Sequence, residues 1–431
     1  MGSSFGNTSK LLINQGSGNF IDSDGFPKER KYEDGGAAFL DVDNDNDLDL
    51  YVSSGGNEFA PGHEYYQDRL YINVGQGKFR HVKGIPKLTT SNSTVIPLDF
   101  DKDGDLDIFV GGRQVPGKYG KSTSSHILQN DGNSFSLVTN SVAPMFENIG
   151  MVTDAKLKDL DGDGTEELIV VGEWMPITIY MVGTQFTDVT NMFGMSETSG
   201  WWNTVEIADV NNDGTLDIIG GNLGHNIKYK ASPTEPFKVY TDDFDKNGTN
   251  DVYLGYYQSG KCYPVRGREC SSQQMPFVKE KFGSYKDFGI ATIDQVLEGR
   301  ISETTSVNQA HTFSSTVFLN LNGSFKPVIL PNEAQIAPVN GIVVDDFDKD
   351  GRQDIFLAGN MYQREVETTR SDAGKGCLLT FEDDGTIRTR RTPETGISAD
   401  KDVRSVSKIS NGDHNLLVIA NNNAPVQFYR Y

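Results

Sequence analysis

The chemistry of this chain is concentrated in alternating carboxylates. Asp99-Phe-Asp101-Lys-Asp103-Gly104-Asp105-Leu-Asp107 sets an acid at every second position, followed by the β-forming run Ile108-Phe-Val110. An isolated strand gains nothing from so many like charges. A loop that surrounds a hard cation does, because Ca²⁺ takes about six to eight oxygen ligands. Asp99, Asp101, Asp103 and Asp107 occupy loop positions 1, 3, 5 and 9, where side chains supply such oxygens. Asp105 at position 7 would offer its backbone carbonyl, and Gly104 at position 6 permits the sharp reversal.

The pattern recurs along the chain. Asp41, Asp43, Asp45, Asp47 and Asp49 form the first copy, with Asn46 at position 6, a residue that tolerates left-handed geometry. The third copy holds Asp159, Asp161, Asp163, Thr165 and Glu167, and the fourth Asp209, Asn211, Asp213, Thr215 and Asp217. The fifth holds Asp243, Asp245, Asn247, Thr249 and Asp251, and the sixth Asp346, Asp348, Asp350, Arg352 and Asp354. Their first aspartates are 58, 60, 50, 34 and 103 residues apart. Asn211 and Asn247 replace a carboxylate by a neutral amide, so those loops should bind metal more weakly. No bidentate Glu at position 12 and no flanking helix pair accompany the loops, which sets aside EF-hand signalling. About six structural Ca²⁺ ions are expected, each relieving the repulsion among crowded carboxylates.

The elements that position these loops repeat with them. A short strand precedes the loop, as at Ala37–Leu40, Val95–Leu98, Val205–Ala208 and Gly341–Val344. A continuously apolar strand follows, as at Leu50–Val52, Ile108–Val110, Leu168–Val171 and Ile355–Leu357, the mark of burial on both faces. Pairs such as Leu70–Asn73 with Phe79–Val82, and Ile127–Asn130 with Phe135–Val138, read as outer hairpins closed by Asn/Gly turns. Four antiparallel strands per unit, repeated radially, predict an all-β, seven-bladed β-propeller over residues 1–431. The seventh unit is a plain hairpin, Val403–Ile409 and Leu416–Ala420 around Asn411-Gly412-Asp413-His414, without metal. The N-terminal strands at Leu11–Phe20 are expected to close this last blade beside Val426–Tyr429, with eight blades as the competing count.

Residues 266–299 break the pattern. Met275, Phe277, Val278, Phe282, Tyr285, Phe288, Ile290, Ile293 and Val296 recur near helical spacing, predicting a partly helical insertion of one or two helices in blade five. Ser271 and Gly299 are its candidate caps, and an irregular lid is the alternative. Cys262 and Cys270 lie close enough in sequence for a disulfide or for two thiols, and Cys377 stands alone. The net charge of −21 makes nucleic acid and anionic membranes poor partners. No membrane-spanning segment is read, and the opening Met-Gly-Ser-Ser is expected to stand where a natural export signal was removed.

The stretches Asp99–Gly112, Asp159–Gly172, Asp209–Gly221, Asp243–Gly255 and Asp346–Gly359, with Asp41–Ser54, resemble the FG-GAP/VCBS repeat family. That family includes the propeller of integrin α subunits and cartilage-acidic-protein-like secreted proteins. The insert, with Gln274-Met-Pro-Phe-Val-Lys-Glu-Lys-Phe282, resembles one in extracellular or outer-membrane-associated proteins of Bacteroidetes. The resemblance implies a calcium-stabilised module outside the cytoplasm that binds a protein partner or a cell-surface or environmental glycan, with association to outer-membrane proteins open. A carbohydrate-active enzyme such as a polysaccharide lyase is the alternative. No phosphate loop or His-Glu-x-x-His helix is present, and catalysis is not expected. Trp201-Trp202 either stack on sugar or pack between blades, and His63–Tyr66, Arg113, Arg266 and Arg268 would form a polar funnel if their loops shared one face.

Overall fold

The computed structural model describes residues 1–16, 18–132, 134–364, 368–382, 384–411 and 414–431. It is a β-propeller-like arrangement of antiparallel sheets with few helices. The first sheet runs Asp34–Leu40, Asp49–Ser54, Arg69–Asn73 and Phe79–Val82 in chain order. The second runs Ser91–Leu98, Asp107–Gln114, His126–Asn130 and Phe135–Leu137. In the third, Met151–Lys158, Glu167–Met175, Thr178–Met181 and Thr187–Asp188 follow one another, and Gly200–Trp201 extends the pairing of the second strand. The fourth joins Thr204–Ala208 and Asp217–Gly221 to Thr316–Asn320 and Phe325–Ile329, the fifth is Gly341–Asp345, Asp354–Ala358, Cys377–Phe381 and Ile387–Arg390, and the last has three strands, Val403–Asn411, His414–Asn421 and Gln427–Arg430.

The second strand of each sheet carries the core. Those of the first, second, third and fifth sheets are buried almost along their length, as their continuous apolar character requires. Alternate side chains serve different sheet–sheet interfaces. Leu168 and Val170 join Phe109 and Phe146 toward the second sheet, while Ile169 and Val171 join Trp202 and Ile218 toward the fourth. Ile355 and Leu357 face the fourth sheet, and Phe356 faces the last. Trp202 is fully buried and lies against Gly220, where a Cβ would come within 2.6 Å of the indole. The packing role of Trp202 is therefore settled, and sugar stacking by this residue is excluded.

The sheets do not confirm seven blades in chain order. The fourth sheet consists of Thr204–Ala208 and Asp217–Gly221, completed by Thr316–Asn320 and Phe325–Ile329 from nearly a hundred residues later. The fifth acidic loop belongs to a separate sheet of Phe237–Asp242, Asp251–Gln258, Lys261–Pro264 and Ser306–Ala310, inserted between these two halves. Its own last strand, Ser306–Ala310, covers the side of Phe237–Asp242 that a blade would turn to the axis. Among the described residues the first strands of six sheets line one cavity of about 680 Å³. The cause is spacing, since the 34 residues between the fourth and fifth loops leave no length for an outer hairpin.

Two smaller differences follow. The N-terminal strands Leu12–Asn14 and Phe20–Asp22 pair only with each other, and touch the last sheet by stacking Phe20 on Phe428 at 4.6 Å. They do not enter that sheet as its fourth strand. The insertion holds four short helices, Arg268–Gln274, Phe277–Lys281, Tyr285–Gly289 and Ile293–Val296, where one or two were expected. Ser271 lies inside the first of them, and the side-chain caps are Ser284 and Thr292. No disulfide joins Cys262 to Cys270. The turn at Gly412-Asp413 lies outside the described residues. Among the described residues no helix is long and apolar enough to cross a membrane.

Truncating Trp202 to alanine removes the side chain that fills the space over Gly220. The expected cost is about 3–5 kcal/mol, read as a lowered denaturant midpoint with an unchanged slope.

Candidate metal centres

All six acidic loops adopt one backbone course. Position 6 is left-handed throughout, at φ 88–96° in the five glycine loops and 69° at Asn46. Position 4 is left-handed as well: Asn44, Lys102, Asn212, Lys246 and Lys349 have φ between 56° and 63°, and Gly162 has 77°. Two reversals in three residues turn the intervening N–H groups inward. The sequence reading recognised position 6 and missed position 4, where a recurring Asn, Lys or Gly was the available signal.

The carboxylates capture those N–H groups in a fixed order. Position 1 accepts the N–H of position 6 in every loop, at 2.8–3.2 Å. Position 5 accepts the N–H of position 7 at 2.7–2.9 Å. Position 9 reaches back to the N–H of position 2, from Val42, Phe100, Leu160, Val210, Phe244 or Phe347, at 2.9–3.2 Å. These position-9 acids are Asp49, Asp107, Glu167, Asp217, Asp251 and Asp354, and each is 0–3% exposed.

In three sheets the other oxygen of position 9 takes a second N–H. Asn73, Asn130 and Asn320, each ending a third strand, donate to Asp49, Asp107 and Asp217 at 2.7–2.8 Å. These asparagines were also missed, although an Asn recurs at the end of each such strand a few residues before a glycine. In the sixth loop the Thr380 hydroxyl and the Arg390 guanidinium serve Asp354 instead. Arg390 also pairs with Asp348 at 2.5 Å, bringing a fixed positive charge to that site.

Side-chain oxygens converge in five of the six loops. Asp41, Asp43 and Asp45 place one oxygen each within 4.8 Å of one another, as do Asp99, Asp101 and Asp107. Asp159, Asp161 and Glu167 form a third such group, Asp243, Asp245 and Asp251 a fourth, and Asp346, Asp348 and Asp354 a fifth. In the fourth loop Asn211 turns its amide to Asp213 at 2.9 Å, and three acids do not converge. Position 5 stands outside the convergent acids in the second, third and sixth loops, and in the fifth it is the amide Asn247. Side chains at position 7 have other contacts: Asp105 accepts the Asn44 amide, Thr215 donates to Asp213, and Arg352 approaches Glu382.

The loops fit a hard cation by their own chemistry. The donors are oxygens, and buried oxygens of Asp47, Asp99 and Asp101 have no hydrogen-bond partner. An unsatisfied buried carboxylate oxygen is costly unless a cation faces it. Without metal, burial raises Asp107 to about 7, with Asp101 and Asp103 adding to the rise and the Asn130 and Phe100 N–H groups opposing it. Burial likewise raises Glu167 to about 7 and Asp217 to about 6.

The proposed funnel of polar side chains is not assembled. His63 stacks on Phe59, Arg113 pairs with Glu173, and Arg268 lies over Tyr285 inside the insertion.

A family model described as FG-GAP-like repeat matches residues 159–220, the span of the third and fourth loops, and supports the repeat family. The comparison with curated proteins returned no match. Among solved structures the chain is similar to an exotype rhamnogalacturonan lyase, YesX, at 10% identity and TM-score 0.36, over 93% of this chain and 72% of that one. It is also similar to the V. cholerae biofilm matrix protein Bap1, at 11% identity and TM-score 0.36, over 98% of this chain and 79% of that one.

Two outcomes distinguish the carboxylates. Asp107→Asn puts an amide N–H₂ where one of two acceptor oxygens stood, facing a backbone N–H, so it should cost about 1–3 kcal/mol even in chelator. Asp101→Asn should lower the melting temperature only when calcium is present, which calorimetry in calcium and in chelator separates. The raised position-9 acids also give a pH dependence. Their folded pKa exceeds the unfolded one, so their contribution is complete below the unfolded value and lost as pH rises through about 7. In chelator the melting temperature should therefore fall between about pH 4 and pH 7, and saturating calcium should abolish that fall.

Proposed function

We propose that the protein is a calcium-stabilised interaction module that works outside the cytoplasm and holds a protein partner or a glycan. The observation that carries this reading is the sixfold repetition of one loop with one hydrogen-bond order. A catalytic metal needs one centre, whereas repeated centres at the start of successive buried strands serve a scaffold. Calcium is the cation that suits all-oxygen loops of this flexibility, and millimolar extracellular calcium suits weak, multiple sites. The insertion enlarges the rigid surface available to a partner, which favours a protein among the candidates. Attachment to outer-membrane proteins belongs to the same proposal.

A polysaccharide lyase needs a basic group free to take a proton from the sugar. The nearest grouping is Arg113, Tyr119 and Lys121. Arg113 pairs with Glu173 at 2.6 Å, and Tyr119 donates to the same carboxylate at 2.7 Å. Burial, and next the Glu173 charge, push the Tyr119 phenol well above its usual range. A tyrosine so held is a poor base, and the grouping suits positioning better than proton abstraction.

Chelation should lower the melting temperature and open the acidic loops to protease. Affinity capture from the native envelope should recover a specific partner in calcium and lose it in chelator. Unchanged melting, proteolysis and capture on chelation would overturn the reading.

A further inference from the structure

The sixth acidic loop differs from the other five in what stands beside its acids. Asp99–Asp107 holds five acids and one lysine, whereas Asp346–Asp354 holds four acids together with Lys349 and Arg352. A further cation reaches this loop from outside it. Arg390 ends the fourth strand of the fifth sheet, and the pairing of that strand with Cys377–Phe381 carries it to the loop.

The Arg390 guanidinium lies between two of the three acids whose oxygens converge there, Asp346, Asp348 and Asp354. Its Nη1 contacts Asp348 at 2.5 Å, and its Nη2 contacts Asp354 at 3.0 Å and donates to the Thr380 hydroxyl at 2.9 Å. Among the described residues no convergent acid of another loop has an ion pair. In the second loop the group facing the corresponding acid is neutral. There the Gln129 amide donates to Asp101 at 2.6 Å, and the other Asp101 oxygen stays buried without a partner.

The strands show why an arginine stands here. Asp49, Asp107 and Asp217 each take a backbone N–H from an asparagine that ends a third strand. The third strand of the fifth sheet, Cys377–Phe381, ends without one, and Thr380 and Arg390 meet that oxygen of Asp354 instead. The Asp354 side chain is 1% exposed and that of Arg390 15%, so solvent screens their contact little. A guanidinium is effectively always protonated, and its planar fork holds two carboxylates in one geometry. A Ca²⁺ bound to the same acids would have to share both of them with a charge of its own sign.

We propose that the sixth loop is closed by Arg390 in place of calcium. The guanidinium is its resident cation, and the inner hairpin of the fifth sheet holds without metal. The proposal rests on the calcium reading of the other loops and removes one site from the six that the acid spacing predicts. No covalent step is involved.

The test counts Ca²⁺ bound per whole chain, by equilibrium dialysis and elemental analysis. Asp101→Asn, the reference, should lose one ion relative to the parent chain, and Asp348→Asn should lose none. Arg390→Gln gives Asp348 the neutral kind of partner that Asp101 has. It should bind one ion more than the parent, melt at a lower temperature in chelator, and regain the difference in calcium. An ion lost in Asp348→Asn, or a folded Arg390→Gln that binds no further ion, overturns the proposal and leaves the calcium reading standing. If Arg390→Gln does not fold, the count in Asp348→Asn decides. No ion bound by the parent or by any variant overturns both, so the two failures are distinguishable.

Discussion

The position-9 carboxylate is the interaction on which each of the six loop-bearing sheets depends. It is buried, and a buried charge survives only when its oxygens are met. One oxygen takes the N–H of position 2, which fixes the loop's entry, while the residue itself begins the second strand. Where an asparagine from the third strand takes the other oxygen, three strands are joined at one group. The same asparagines reach further. The Asn130 amide donates to the Val42 carbonyl of the preceding sheet's loop, and the Asn320 amide to that of Leu160. Loop geometry is thereby passed from one sheet to the next through short hydrogen bonds.

This arrangement separates two kinds of chemistry along one strand. Carboxylates and the cations they call for collect where the second strands begin. The far ends carry small residues, aromatics and the Arg113–Glu173–Tyr119 network. Between Glu167 and Glu173 the strand runs for about 20 Å at the usual rise per residue. A metal held at one end can therefore stiffen the support of the other without touching anything bound there.

Much of this was legible because local pattern and local structure agree. Alternating acids around a glycine announce the loops, and apolar runs such as Leu168–Val171 announce the buried strands, since both depend on neighbours a few residues away. The convergence of the position-1 and position-3 carboxylates could be read in the same way. The second duty of position 9 could not, because its partner Asn130 lies 23 residues on and shows itself only after the strands pair. The sheet count failed for a related reason. The fifth loop is locally indistinguishable from the others, yet its strands are excluded from the axis by the pairing of Ile218 with Phe318. The helices came out short because residues such as Pro276 and Gly283 interrupt a pattern whose apolar spacing alone would run on.

The divided fourth sheet bears on how the chain comes to be built. Gly220 and Thr316 are cross-strand neighbours although the whole inserted sheet and its helices lie between them in sequence. During synthesis the first three sheets can form as local meanders while the fourth remains half made, its inner pair waiting for an outer pair not yet translated. Such late pairing is where long-range topology slows folding and exposes strand edges. The insertion closes on itself, with its own hydrophobic cluster of Tyr253, Met275, Ile293 and Leu297, so it can shorten the effective gap by folding first. An insertion folded in this way would hold the two distant segments close while the fourth sheet pairs.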